Sequence, residues 1–335
     1  MPEPSPLPMS DAVVLAPLSG YTDLPFRTAC RRHGCLYAFT PLLDAASLVH
    51  ENPRNKQILP RGEHEPWLGV QLLGDSPKIL RAACELLPRD TYDIVDLNLG
   101  CPVRKVTRRG AGAALGADRE RACRCVEALV EVCECPVTAK IRVQAMDTPE
   151  TTVELARGLE AAGIAALVVH GRVMERFYSG PVACSVIREA RRALRIPVLA
   201  NGGAFCRESA SVLRTASGCA GIMVARGAIG NPWLFSELGD PAFTPPGHEE
   251  LCAEVELHVE GMVRLYGEDV AMRNARKIIL AYLTGRGYRR CRRRAVTSIS
   301  TWAEFEDLMV TLRQEGPSAH YDAAKSPKRD VLEVC

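Results

Sequence analysis

Ile94-Val95-Asp96-Leu97-Asn98-Leu99-Gly100-Cys101-Pro102 is the stretch on which the fold turns. Its apolar start reads as a buried strand, and Gly100 and Pro102 impose a turn just past it. A thiol at that position sits at a strand end, which in parallel α/β folds is where ligands and chemistry are found. On this stretch alone Cys101 reads equally as a presented thiol and as a small buried hydrophobe, because free cysteines are among the most buried residues.

Seven more apolar or β-rich runs flank it: Val13-Leu15, Leu36-Phe39, Leu68-Gln71, Val137-Ile141, Ala166-His170, Val198-Asn201 and Gly221-Val224. Stretches with 3.6-residue spacing lie between them, among them Ser76-Leu87, Asp118-Val132, Thr148-Ala162, Ser185-Leu194 and Glu208-Ala216. Alternating strands and helices predict a parallel sheet, and eight repeats predict a closed (β/α)8 TIM barrel over residues 11–240. Such a barrel takes about 250 residues, so a chain of 335 leaves room for an appendage. After the turn-rich linker Gly239-Asp240-Pro241 and Thr244-Pro245-Pro246-Gly247, Glu249 to Leu312 shows helical spacing without strand signals. This predicts a small C-terminal helical bundle domain over 247–315. Residues 1–10 carry four prolines and predict a flexible arm; the polar, aperiodic 316–335 predict a disordered tail.

With 47% hydrophobic residues, 24% charged and a net charge of +2, the composition is that of an ordinary soluble globular protein, so overall charge does not decide for or against nucleic acid. Fourteen cysteines scattered through a long chain without a signal-peptide pattern predict reduced thiols in the cytoplasm. No apolar run reaches the roughly 18 residues of a membrane span. Cys123, Cys125, Cys133 and Cys135 have a paired look, but residues two apart on a helix do not share a face and metal-binding pairs are spaced by two to four residues, so they read as structural and no metal is expected. Gly110-Ala111-Gly112 lacks dinucleotide-loop spacing and does not follow a strand.

Five polar residues, Gln71, Asn98, Lys140, His170 and Asn201, stand at or near the ends of otherwise apolar strands, where the barrel mouth would bring them together. Asn98-Leu99-Gly100-Cys101-Pro102 resembles the active-site signature of the tRNA-dihydrouridine synthases, and the resemblance runs from Val13 to Leu312. Ala16-Pro17-Leu18-Ser19-Gly20-Tyr21-Thr22-Asp23 resembles the family's first-strand loop, which lies against the flavin and makes Pro17 and Leu18 expected contacts. Gln71 and Asn98 resemble its flavin-edge contacts. Lys140 in Thr138-Ala139-Lys140-Ile141-Arg142 and His170 in Val169-His170-Gly171-Arg172 match residues holding the ring and phosphate side of FMN. Asn201-Gly202-Gly203 and Ala225-Arg226-Gly227-Ala228 match its phosphate cradle.

The chemistry of these residues agrees. Glycine-bearing loops after strands 7 and 8 of a barrel supply backbone amides to a phosphate, and a lysine near the ring favours negative charge on it. By the same resemblance, Cys101 is the general acid that protonates C5 of a uridine while reduced FMN gives hydride to C6, NADPH is the reductant and tRNA is the partner; no protein partner is implied, so a monomer is expected. An ordinary thiol, with a pKa of about 8.5, carries the needed proton at neutral pH. The loop Lys105 to Leu115 resembles the segment that closes over the substrate. Three departures bear on substrate position. Leu18 replaces a common methionine, no glutamine stands between Arg172 and Tyr178, and Ala183-Cys184-Ser185 replaces the usual acidic and tryptophan residues after Gly180.

Arg273 to Arg294 holds nine basic residues and no acidic one, whereas Glu249 to Asp269 is mostly acidic. An arginine-rich surface suits phosphates, and Arg273-Asn274-Ala275-Arg276-Lys277 resembles the family's tRNA-facing motif. Arg273, Arg276, Lys277, Arg286, Arg289, Arg290 and Arg293 are therefore the expected RNA contacts. Tyr282, Tyr288 and Trp302 read either as base-stacking or as core residues. Two alternatives stay open: a flavin barrel acting on a small molecule, and a non-catalytic RNA-binding flavoprotein.

Overall fold

The computed structural model describes residues 10–318. Its strands are β1 (Val13–Leu15), β2 (Tyr37–Phe39), β3 (Leu43–Asp44), β4 (Leu68–Leu73), β5 (Ile94–Leu99), β6 (Val137–Arg142), β7 (Ala166–His170), β8 (Val198–Asn201) and β9 (Ile222–Val224). Parallel pairing runs β1-β2-β4-β5-β6-β7-β8-β9 and returns to β1, closing an eight-stranded TIM barrel. The two-residue β3 is an addition to the expected set; it pairs only with β4, above the barrel's closed belt.

Side-chain alternation divides the strands between two cores. Val14, Ala16, Phe39, Trp67, Ile94, Ala166, Val168, Leu199 and Met223 form one cluster inside the barrel. Their neighbours Leu15, Ala38, Leu68, Val95, Leu167, Val169 and Ala200 face outward into a larger cluster shared with the helices. The helices follow the strands in turn, with Leu24–Arg32, Pro77–Glu85 and Arg119–Val130 starting at Asp23, Ser76 and Asp118. In each case the capping side chain accepts from the backbone N–H three residues on, satisfying a donor that the helix leaves open.

Four further helices, His248–Tyr266, Glu268–Leu283, Arg290–Val296 and Trp302–Glu315, follow the barrel. They dock through charged and polar clasps. Glu254 meets Arg32 at 2.6 Å and His33 at 3.0 Å, and Tyr266 donates to Asp23 at 2.7 Å. Lys277 donates to the Gly20 carbonyl and lies 4.5 Å from the Tyr21 ring. The helical region is thereby tied to the loop after β1, at the rim of the barrel mouth.

Tyr282 and Tyr288 are core residues rather than base-stacking ones. Both are buried, with hydroxyls bonded to His258 at 3.1 Å and His248 at 2.8 Å; Trp302 packs against Phe305 at 5.1 Å. The arm lies outside the described residues except for Ser10. The tail does so from residue 319, and its described start is anchored, since the Ser318 N–H donates to the Gly287 carbonyl at 3.0 Å. Among the described residues no helix is long and apolar enough to cross a membrane.

Candidate active site

Strand register brings the polar residues into rows. Gln71 lies beside Asp96, and Asn98 beside Lys140. Arg142, His170, Asn201 and Met223 align across four successive strands. These rows open into a cavity of about 460 Å³ at the C-terminal mouth, within the usual range of ligand pockets. All the expected cofactor positions line it, from Pro17, Leu18, Gln71, Asn98, Lys140 and His170 to Asn201, Gly202, Gly203, Ala225, Arg226 and Gly227, and so does Cys101.

Cys101 is clamped from both sides. Its N–H donates to Asn98 Oδ1 at 2.9 Å, alongside the Gly100 N–H at 3.1 Å, while its carbonyl accepts from the Ala113 N–H at 3.0 Å. Gly112 makes the second contact possible: it sits at φ 60°, and a Cβ there would lie 2.7 Å from the Cys101 carbonyl oxygen. The thiol is half-buried and faces the cavity.

Asn98 is itself oriented. Its Nδ2 donates to Gln71 Oε1 at 2.8 Å, and Gln71 Nε2 donates to Asp96 Oδ2 at 2.7 Å. The other Asp96 oxygen accepts from the Thr138 hydroxyl at 2.7 Å. A carboxylate can only accept, so Asp96 fixes the direction of both amides and leaves the Asn98 oxygen toward Cys101. Burial pushes the Asp96 carboxyl up to about 6, against the pull of the Thr138 and Gln71 hydrogen bonds and Lys140.

Among the described residues no aspartate or glutamate lines the cavity, but Lys140, Arg142, Arg172 and Arg226 all reach it. Burial and the nearby Arg142 push Lys140 down to about 7, while its Nζ donates to Asn201 Oδ1 at 2.9 Å. His170 is held neutral by burial and by the same four cations. Such a pocket favours an anion. After β8, Gly202 and Gly203 turn the chain at φ 126° and 75°, bringing this loop beside Arg226. Arg226 lies 5.1 Å from the Tyr178 ring and 5.3 Å from the Phe205 ring, and donates to the Tyr178 carbonyl at 2.9 Å.

Arg142 was not among the expected site residues. It donates to the Gly100 carbonyl at 2.7 Å and to the Phe177 carbonyl at 2.8 Å, linking the Cys101 turn to the loop that carries Tyr178. Its position two residues beyond Lys140 on β6 is the signal that finds it, since alternate strand residues share a face. Phe205 and Tyr21 come from loops and carry no such periodic signal.

The family model for dihydrouridine synthases matches residues 14–315. The chain belongs to the dihydrouridine synthase family. A probable tRNA-dihydrouridine synthase of Mycobacterium tuberculosis strain H37Rv is 34% identical over 325 residues, covering 92% of this chain and 83% of the relative. The tRNA-dihydrouridine synthase B of Pasteurella multocida is 30% identical over 282 residues, covering 83% and 85%. Among solved structures, histamine dehydrogenase from Rhizobium sp. 4-9 superposes with a TM-score of 0.51 at 12% identity over 82% of this chain and 50% of that one, a likeness of fold.

The basic residues expected to meet RNA divide by environment. Arg273, Arg289 and Arg290 are exposed, as is Lys277, whose ammonium holds Gly20. Arg276 is half-buried and donates to the Ile299 carbonyl at 2.8 Å. Arg286 bonds Gly230 and Tyr282 carbonyls at 2.7 Å each and Asn231 at 3.0 Å, which makes it a brace between the helices and the barrel. Arg293 is half-buried.

Proposed function

We propose that this protein is an FMN-dependent tRNA-dihydrouridine synthase that reduces the C5–C6 double bond of a tRNA uridine. The observation that carries this reading is the acid-free, cation-lined cavity with Cys101 clamped at its edge. The donor set fits FMN: Arg226 and the backbone of Gly202, Gly203, Ala225 and Gly227 would hold the phosphate, Pro17 and Leu18 would cover an apolar face, and Gln71, Asn98, Lys140, His170 and Asn201 would meet the ring edge. When bound and reduced by NADPH, FMN supplies the hydride for C6 of the uracil.

Cys101 delivers the proton to C5 from the thiol that Asn98 and Ala113 keep at the cavity edge. Arg142 and Arg172 brace the loop carrying Tyr178, bonding the Phe177 carbonyl at 2.8 Å and the Gly180 carbonyl at 2.8 Å, so the substrate side of the cavity keeps its shape. Arg273, Arg289 and Arg290 meet tRNA phosphates from the neighbouring helices, with Lys277, Arg276, Arg286 and Arg293 behind them. Membership of the family and the activity for which the relatives are named support the same reading.

The test is to incubate purified protein with FMN, NADPH and unmodified tRNA and to quantify dihydrouridine by nucleoside mass spectrometry. Dihydrouridine that requires both cofactors is expected. NADPH oxidation by a small enone, with no dihydrouridine formed, would replace this reading with the small-molecule alternative.

A further inference from the structure

A second cavity, of about 250 Å³, lies at the other end of the barrel. Tyr92 and Val95 lead into and begin β5, and Cys135 comes just before β6, so this cavity is at the N-terminal ends of the strands, away from the mouth. Three thiols line it: Cys84 in the last turn of helix Pro77–Glu85, Cys133 just past helix Arg119–Val130, and Cys135. The Sγ atoms of Cys84 and Cys133 are 2.7 Å apart. The two helices pack side by side and follow neighbouring strands, so both sulfurs are carried on fixed supports.

We propose that Cys84 and Cys133 form a dithiol site that exchanges with small-molecule disulfides and closes to an intramolecular disulfide. A covalent S–S bond is about 2.05 Å long, so closure moves the sulfurs by only about 0.7 Å. Access comes from the cavity, which reaches both residues from solvent. Either sulfur can donate in the shared contact, so either thiol can serve as the attacking one. Cys135 is pushed up to about 11, first by burial, and stays protonated.

The exchange balances in two steps. The thiolate of one member of the pair attacks one sulfur of a disulfide RSSR; an S–S bond forms to it, the RS–SR bond breaks and RS⁻ leaves. The other thiol then gives up its proton and attacks that protein sulfur, expelling the second RS⁻. The two protons from the thiol pair end on the leaving groups, so the net change is two protein thiols oxidised and RSSR reduced to two RSH.

The rim selects among such disulfides. Glu85, Asp90 and Glu134 line the cavity against Arg89 alone, giving an acidic surround. A cationic disulfide is favoured over an anionic one, and that preference weakens as salt rises.

The full-length protein, previously reduced and desalted, is treated with cystamine or with oxidised glutathione, quenched in acid, alkylated and mapped by mass spectrometry. We expect a Cys84–Cys133 cross-linked peptide, loss of two alkylatable thiols, and a cystamine-to-glutathione rate ratio that falls with added salt. Cys133→Ser and Cys84→Ser should each abolish the cross-link and leave the remaining thiol able to take a single cysteamine adduct. Should these variants fail to fold, the cross-link in the unaltered protein decides by itself. Full alkylation of both thiols after treatment, or a cross-link made through Cys135, would overturn the proposal.

Discussion

The most direct quantitative consequence concerns Lys140. Burial and Arg142 hold its ammonium down to about 7 in the protein alone, with Asp96 and Cys101 opposing them. An anion placed in the cavity favours the charged form and raises that value, so binding takes up a proton. The sign is then fixed: affinity is greatest while Lys140 is charged beforehand and falls as pH rises above 7. With half the lysine charged at pH 7 and about 1% at pH 9, FMN affinity should drop across that window, by as much as about fiftyfold, or about 2.3 kcal/mol, where the bound lysine stays charged to pH 9. The phosphate itself, with a second pKa of about 6, stays dianionic throughout, and His170 stays neutral. Titrating FMN with flavin-free protein at pH 7, 8 and 9, read by flavin fluorescence, gives the slope; Lys140→Gln should bind more weakly at pH 7 and show no slope. A flat profile in the unaltered protein, or an unchanged slope in Lys140→Gln, would refute the linkage.

Three further outcomes are expected. Cys101→Ala should retain FMN and its reduction by NADPH but lose about 10² to 10⁴ in the rate of flavin reoxidation by tRNA, as befits a missing general acid; reoxidation at the parental rate in stopped flow would remove Cys101 from proton transfer. Replacing Arg273, Arg289 and Arg290 by alanine should weaken tRNA binding and flatten its salt dependence by about one unit of slope for each phosphate no longer neutralised, measured by filter binding at several salt concentrations. Glu65 receives the fully buried Arg27 guanidinium through two bonds of 2.8 Å each, and Glu65→Ala should destabilise the fold by about 3–5 kcal/mol in urea denaturation. Burial raises the Glu65 carboxyl, but the bonds and charge of Arg27 outweigh it and leave it below 4.5, so its stabilisation is present above 4.5 and is lost on acidification below that value. A denaturation midpoint unchanged between pH 7 and pH 3.5 would contradict this.

The barrel was legible because short apolar runs alternate with stretches of helical spacing, and the polar residues set into five of those runs, Gln71, Asn98, Lys140, His170 and Asn201, do converge at the mouth. What escaped were features set by three-dimensional return of the chain. The short helices Arg104–Thr107 and Ala113–Gly116 fold the loop after Cys101 back onto it, a closure that depends on Gly112 and not on any periodicity. Charge was also ambiguous in one dimension. Arg286 and Arg289 look equivalent in a basic run, yet the first braces backbone carbonyls and the second is exposed, because the Gly285 and Gly287 turn separates the helix that ends at Leu283 from the one that begins at Arg290.

The hydrogen-bond row from Asp96 through Gln71 and Asn98 to the Cys101 N–H has a polarity, and polarity makes its members interdependent in descent as well as in space. Asn98→Asp sets oxygen against Gln71 Oε1, and turning Gln71 only moves the conflict to Asp96; neither position can drift alone without like facing like. Thr138 is the exception, because a hydroxyl can accept as readily as it donates. Asp96→Asn can turn its nitrogen toward Thr138 and keep its oxygen for Gln71. Substitutions along this row should therefore be inherited in compensating sets, with position 96 the one gate through which a lineage can leave the arrangement a single step at a time.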